Sequence, residues 1–515
     1  MSHTVRRVLF WALLTGVVVA HVGVALQSLL VLRFWEDEAF NLTVPLNLLD
    51  GLGYTSDGAL SGSTLTPFDP RISTGPSVLL PAAAFIGIGI DPVIGARLVP
   101  LLYWVLLLVG LWVLGRRIAG TWAGLLAIAV PLVFDTIGAP SPIQGPADFL
   151  GEIPAAALIV WALVVLPKRA WLAGLLVGLA VQAKLIALLA LPAFAVAVWA
   201  LAPGTGWARI GATFRRGWLP LVMAGVPTLL VELAALIALG PAGFLDHLRG
   251  VKAFLLSGGQ EQEPTTVVQK LTWFVDSWHM PGWAVMLTGL VAVALIVAGL
   301  VRTRGIDRGR LALLLAASVG IAVFLGWWST AAHTPLWIRH PAPGIFAFTP
   351  ILAAFAIWGA QALWSARDDR SSGAARAEDA PDGEDGDDGD DAHPVTARRP
   401  RPAVRVVAAL AVVLIAGSTA YGVVQHGVIG VTPPTVQTLQ TQRESAAPLK
   451  AWVEENDAEW LAAQPWGAAV SMVVLSGAHL GLFDAEAMRG VPRLTFECGT
   501  EPLAQGGPYV ICAAP

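Results

Sequence analysis

The sequence predicts a polytopic, all-α membrane protein with a small C-terminal α/β domain, and three observations carry the membrane part. The chain has 515 residues, is 56% hydrophobic and only 13% charged, where soluble domains run near 25% charged. Several apolar runs reach the roughly 20 residues needed to cross a bilayer. There are 21 Trp against 4 Tyr, and many of the Trp close an apolar run, as an interfacial belt does.

Charge sets the order of the spans. Arg6 and Arg7 precede an apolar run from about Val8 to Leu32. That run exceeds the roughly 7–15 residues of a signal-peptide core, so it reads as a retained helix whose N-terminus is cytoplasmic by the positive-inside rule. The chain then emerges near Arg33, and residues 33–96 form one large external loop. Within it, Ser77–Ile90 is too short to span and reads as an interfacial helix. Spans follow at about 96–114, ending at Arg116-Arg117, at about 118–138, and at about 152–166, ending at Lys168-Arg169. Residues 170–202 begin and end beside basic loops and are too few for two full spans. A pair of shortened helices with Lys184 near the turn fits, since broken helices are tolerated where protein or a cavity covers the freed backbone. Further spans lie at about 218–239, 280–301, 311–328, 341–364 and 404–424, for about 11 transmembrane helices in all. Every basic cluster then falls on the cytoplasmic side.

The formal charge of −4 is set by nine acids between Glu378 and Asp391, and without them the balance is about +5. That stretch has no large apolar residue and lacks the register of a calcium loop, so 366–403 reads as a disordered cytoplasmic linker. Residues 425–515 form an extracytoplasmic tail, with an amphipathic stretch near Thr435–Glu455. Its two cysteines, Cys498 and Cys512, flank RLTFEC and YVIC, which read as strands. A disulfide between them is stable outside the cell and not in a reducing cytoplasm.

This topology gathers ionisable residues on the external side. Asp37, Glu38, Asp69, Arg71 and Arg97 belong to the first loop, Asp148 and Glu152 to the second, and Lys184 to the broken-helix turn. Glu232, His247, Arg249, Lys252, His279, His333, Arg339 and His340 also lie outside or at the outer boundary. Such residues in a membrane protein are functional candidates by default. Carboxylates beside cations suit a lipid-linked sugar phosphate: a carboxylate takes the acceptor's proton, and cations offset the charge growing on the departing phosphate. No P-loop or dinucleotide-binding glycine fingerprint is present, and nothing suggests nucleic acid as a partner.

Four motifs then make a resemblance specific. FWEDEAFNLTVPLNLLDGLGY resembles the first external loop of GT-C glycosyltransferases, nearest to the protein O-mannosyltransferase and lipid A aminoarabinose transferase branch (family 39/83-like). PRISTGPSVLLPAAAFIGIGIDPVIGARLVP resembles their second interfacial helix and the Arg that opens the second span. GLLVGLAVQAKLIALLALP resembles their broken-helix segment with its Lys, and WIRHPAPGIFAFTP a late external basic motif. The resemblance covers about residues 5–365, a GT-C catalytic module. It implies a polyprenyl-phosphate monosaccharide donor and an inverting transfer to an envelope glycan, lipid or protein. It implies Asp37, with Glu38, as the catalytic carboxylate, Asp148 or Glu152 as a second acidic or acceptor site, and Arg97, Lys184, Arg339 and His340 around the donor phosphate. No cofactor is expected, though some members of that superfamily use a divalent metal. Thr74-Gly75-Pro76 departs from the family's His-Pro-Pro or Glu-Lys-Pro element, and the tail matches no acceptor-binding domain.

Plainer readings stand beside these. Asp37 and Glu38 also suit the first turn of a helix, Lys184 a snorkelling side chain, Arg97 and Arg339 headgroup anchors, and Asp148 and Glu152 a helix cap. The histidines lack metal-ligand spacing. At the level of function the alternatives are a secondary transporter or lipid flippase, whose sites usually lie at the midplane, and a non-catalytic scaffold on the same fold.

Overall fold

The computed structural model of the protein describes residues 2–134, 145–256, 263–303, 306–364, 402–431 and 437–514. The acidic run Glu378–Asp391, and with it the linker expected there, lies outside the described residues. Seven described helices are long and apolar enough to cross a bilayer. They are α1 (His3–Leu30), α4 (Pro92–Ala119), α9 (Gly206–Leu256), α11 (Gly282–Thr303), α12 (Arg308–Thr330), α13 (Ala342–Trp364) and α14 (Pro402–Val431). Between α1 and α4 run α2 (Glu36–Leu49) and α3 (Pro76–Gly87), with a two-residue ladder, β1 (Thr55–Ser56) and β2 (Thr66–Pro67). Thus α3 stands where the sequence places a short interfacial helix.

The remaining apolar helices are shorter than a bilayer is thick. α5 (Thr121–Val133) has 13 residues, and α6 (Glu152–Val165) and α7 (Ala170–Ala183) have 14 each. At a rise of 1.5 Å per residue these are about 20 Å long, against a hydrocarbon core of about 30 Å. Their surroundings explain the shortness. Nearly every residue of α5 and α6 is buried, so they sit inside the bundle and meet protein instead of lipid. By contrast α1, α9, α11 and α14 leave rows of Val, Leu and Trp exposed, as lipid-facing helices do. The sequence reading of a broken segment is met at Lys184. There the backbone turns extended (φ −153°, ψ 119°), a 3-10 stretch runs from Leu185 to Ala190, and α8 (Leu191–Leu201) resumes.

At one end of the bundle, arginines cap the C-terminal carbonyls that helices leave unpaired. Arg117 donates to Val164 O at 2.7 Å, Arg216 to Pro167 O at 2.9 Å, and Arg209 to Trp199 O and Ala200 O at 3.0 Å each. The opposite end carries the α2–α3 loop. There α9 breaks at Gly240 (φ 68°), and Glu232 before the break meets His247 after it at 3.2 Å. In α10 (Val267–Asp276), Lys270 is fully buried and donates to Trp328 O, Ala331 O and Thr334 Oγ1 at 2.6–2.7 Å, closing the C-terminus of α12.

The C-terminal domain sits on this same end. After α15 (Leu439–Glu455), the elements β3 (Trp460–Ala463), α16 (Ala468–Ser476), β4 (His479–Leu482), β5 (Arg493–Thr495), β6 (Ala504–Gly506) and β7 (Tyr509–Cys512) build a five-stranded sheet. Its order is β4-β3-β5-β7-β6, with β3 parallel to β4 and β5, and β7 antiparallel to both its neighbours. Cys498 and Cys512 form a disulfide. Backbone and side-chain bonds fasten the domain to the first loop. Gln442 exchanges two hydrogen bonds with the backbone of Phe34 at 2.6 and 2.7 Å, Leu480 N donates to Asp57 at 2.6 Å, and Leu482 N donates to Ser63 Oγ at 2.8 Å.

Candidate active site

α2 starts at the end of α1, and its first turn carries Glu36, Asp37 and Glu38, where the N-terminal partial charge favours acids. Neighbouring residues on a helix point about 100° apart, and here that separates Asp37 from Glu38. Glu38 points into the protein. Its carboxylate receives Arg97 Nε at 2.8 Å and Nη2 at 2.6 Å, with Phe149 N at 3.0 Å, and both side chains are fully buried. Arg97 gives its other donors to the carbonyls of Ser28, Leu32 and Arg33, all at 2.8–2.9 Å. One ion pair therefore ties together the end of α1, the start of α2, α4 and the turn before α6. The sequence reading placed Glu38 with the catalytic base and Arg97 on the donor phosphate. The structure gives every polar atom of this pair a protein partner and puts neither residue on the open cleft.

Asp37 faces the other way. It lies against Arg339, which forms an ion pair with it, and both line a cleft of about 270 Å³. The guanidinium of Arg339 is held over the Trp337 ring at 4.6 Å and near the Trp35 ring at 5.7 Å, a stacking geometry that suits the planar group. His340 stacks on Trp337 at 5.7 Å and also lines the cleft. Burial, with the charges of Arg339, Lys184 and Lys270 added, holds its pKa well below 6.5, so the imidazole is neutral.

Lys184 reaches the cleft from the broken helix. Its Nζ lies 2.9 Å from Glu152 Oε1 and donates to Ser73 Oγ at 2.8 Å. Glu152, fully buried at the start of α6, stands behind Lys184. Asp148 goes elsewhere: it is 2% exposed and accepts from Ser28 Oγ at 3.4 Å, near Arg97 and off the cleft. The two members of the second acidic site are therefore divided, one bracing the Arg97 region and one bracing Lys184.

Two glycines set where Lys184 lies. A side chain on Gly75 would collide with the Gln182 carbonyl, and one on Gly151 with the Ala183 carbonyl. The close approach lets Gly75 N donate to Ala183 O at 3.2 Å and pairs Thr74 with Lys184 in a β-bridge. Asn41 of α2 bonds both sides of this clasp, to Thr74 Oγ1 at 3.1 Å and Phe149 O at 2.8 Å. The Thr74-Gly75-Pro76 element, which departs from the resembled family, is thus the seat of the broken helix.

The cleft also takes in Arg71, on a loop ordered by Asp69, which accepts from Ser56, Ser61 and the Arg71 amide at 2.7–2.9 Å. Its charged lining is then one carboxylate, Asp37, against Arg71, Lys184 and Arg339. Leu185, Ile186, Leu188 and Leu189 of the 3-10 stretch continue the wall as an apolar surface, joined by Phe254, Trp327 and Trp466. An anion with an apolar tail fits such a lining. Sequence reasoning left out Ser73 and the Trp residues, because no charge or spacing marks them. Of the histidines, His247 pairs with Glu232, His279 packs against His426 with ring centroids 4.8 Å apart, and His333 is exposed. Among the described residues no group of three or more His, Cys, Asp and Glu is placed to hold a metal ion.

No protein-family model and no curated protein matches the sequence. Solved structures do match. The chain is similar to ArnT from Cupriavidus metallidurans bound to undecaprenyl phosphate, with a TM-score of 0.56 at 13% identity, covering 99% of this chain and 98% of that one. The apo state of the same protein gives a TM-score of 0.55 at 13% identity over the same shares. The archaeal oligosaccharyltransferase AglB from Archaeoglobus fulgidus, in complex with an inhibitory peptide and a dolichol-phosphate, gives 0.50 at 12% identity, covering 92% of this chain and 65% of that one. Both proteins are GT-C superfamily members. At these identities the shared property is the fold, and the chain is a multi-pass membrane protein with the GT-C fold.

Proposed function

We propose that this protein is an inverting glycosyltransferase that moves a monosaccharide from a polyprenyl-phosphate carrier to an acceptor in the cell envelope. One observation carries the reading: Asp37 and Arg339 form an ion pair at a cleft whose other charged walls are Arg71 and Lys184. The relatives in fold add support, since the ArnT and AglB structures hold undecaprenyl phosphate and a dolichol-phosphate.

In this mechanism the donor phosphate enters beside Arg339, Lys184 and Arg71, and its polyprenyl chain follows the leucines of 185–189. The phosphate competes for the guanidinium that otherwise holds Asp37, and so frees the carboxylate. Asp37 then takes the proton of the acceptor hydroxyl as that oxygen bonds to the anomeric carbon. The bond from that carbon to the phosphate oxygen breaks from the opposite face, and its electron pair leaves with the polyprenyl phosphate. The cations offset the added charge, in a setting fixed before reaction. Neutral His340 adds no charge of its own and keeps a donor for the phosphate. No resident cofactor is required.

The orientation belongs to the same proposal. The arginine-capped end of the bundle faces the cytoplasm, and the cleft and the disulfide-bearing domain face outward. The test is turnover by the purified protein in lipid nanodiscs against a panel of polyprenyl-phosphate monosaccharides, with the anomeric configuration of the product read by NMR. An inverted product supports the reading, and a retained configuration would sink single-displacement attack assisted by Asp37.

A further inference from the structure

We propose that Trp466 is the acceptor platform of this cleft: its indole face stacks on a sugar ring of the acceptor and presents a hydroxyl to Asp37. The inference rests on the glycosyl-transfer reading above and names the acceptor class, a saccharide.

Trp466 lies on the turn between β3 and α16 and is the cleft's one lining residue from the C-terminal domain, among the described residues. Its ring meets that of Phe40 edge to face, with centroids 5.5 Å apart and planes at 74°. Phe40 is three residues beyond Asp37 on α2, which is one helical turn along the same face. Trp466 thereby packs on the residue one turn beyond Asp37, and it shares the cleft lining with that carboxylate.

Two features separate it from an ordinary packed or interfacial Trp. Its backbone is left-handed, with φ 54°, a conformation that a bulky side chain adopts only where surrounding structure enforces it. Its side chain is also 45% exposed, so the strain is not repaid by burying the ring. Trp residues of a membrane belt sit at the ends of spanning helices, whereas Trp466 rides on a sheet domain over the cleft. The domain is held in register by Leu480 N on Asp57 and Leu482 N on Ser63, and the edge-to-face contact with Phe40 gives the ring a seat on α2.

The two walls of the cleft then divide the substrates by chemistry. Leu185 to Leu189 and the cations come from the membrane bundle and suit a lipid phosphate. Trp466 comes from the water-side domain and offers a flat apolar face beside a base. A pyranose ring has an apolar C–H face to lay on indole and hydroxyls at its edge for the carboxylate.

The experiment uses the full chain in nanodiscs, with the donor found in the panel and a set of methyl hexopyranosides and methyl pentofuranosides as acceptors. Trp466→Ala is expected to raise the glycoside KM about tenfold, with the donor KM within about twofold of wild type, and Trp466→Phe to restore most of the loss. An unchanged glycoside KM in Trp466→Ala, or an equal rise in the donor KM, overturns the assignment. So does a wild-type protein that cleaves the donor yet glycosylates none of the glycosides, which leaves the reaction class standing. Absence of any donor turnover by wild type brings down the underlying reading as well.

Discussion

Asp37 and Glu38 are adjacent in the chain and stand in opposite environments. Asp37 borders the cleft with Arg339, while Glu38 is locked to Arg97 with both side chains fully buried. Removing one partner of a buried pair leaves an uncompensated charge, worth about 3–5 kcal/mol. Glu38→Gln and Arg97→Met are therefore expected to lower the melting temperature in lipid strongly, and an unchanged melt would show that the pair is not structural. Arg339→Ala is expected to lower the melt less than Glu38→Gln, because the Asp37 left behind opens on the cleft, and to raise the donor KM at least about tenfold through loss of a charged phosphate contact. A melt that collapses at unchanged KM would reverse the two roles. The sequence made the acids and cations visible and not their division. Which of two neighbouring helical residues faces a cavity depends on the helix's rotation about its axis, and for α2 that rotation is set by Arg97 and Phe149, far away in the chain.

At the scale of elements, the break before Lys184 places a cation at the cleft, and the first and second loops hold the break open. The basic flanks of 170–202 made the broken segment legible. The clasp that seats it was not, because it depends on Gly75 and Gly151 meeting the carbonyls of Gln182 and Ala183, and each glycine alone reads as an ordinary loop residue. Gly75→Ala and Gly151→Ala are expected to cost about 1–3 kcal/mol each by overpacking. Both should also weaken donor binding, because Lys184 shifts with the backbone that carries it. Thermal melts together with donor KM check this, and alanine variants that match wild type in both would refute the clasp. The short helices teach the same lesson. Hydropathy places a span near bilayer length at about 118–138, but α5 stops at 13 residues because protein, not lipid, surrounds it, whereas the short span at about 152–166 is met by the 14 residues of α6.

For the whole molecule, the bundle and the C-terminal domain meet through the first loop, and one contact there titrates. His479 Nδ1 lies 3.0 Å from Asp57 Oδ1. That hydrogen bond raises the His479 pKa above 6.5; burial opposes it, and the charges of Asp57, Glu459 and Asp50 assist. A folded-state pKa above the unfolded one stabilises docking fully below about pH 6.5, and the benefit is lost as pH rises through the raised value. Docking, followed by hydrogen exchange of the Leu480 amide corrected for its intrinsic pH dependence, is expected to loosen on passing from pH 6 toward pH 8, and His479→Gln should flatten that dependence. A protection factor independent of pH in the wild type would contradict it. At this scale the sequence was most informative, since long apolar runs mark a membrane protein and two cysteines at the ends of short strands announce a disulfide without any tertiary contact. The seating of the sheet domain over the cleft was hidden, because it rests on backbone bonds such as Leu480 N to Asp57, which no residue pattern announces. The central claim is that Asp37 is the base of a phosphate-binding cleft. The most direct test follows polyprenyl-phosphate release from a panel of lipid-linked monosaccharides, with an envelope extract as acceptor, comparing wild type with Asp37→Asn in nanodiscs. The expected result is turnover of one donor by wild type and a loss of at least about 10²-fold in the folded, membrane-inserted variant. Equal turnover by Asp37→Asn would contradict the claim.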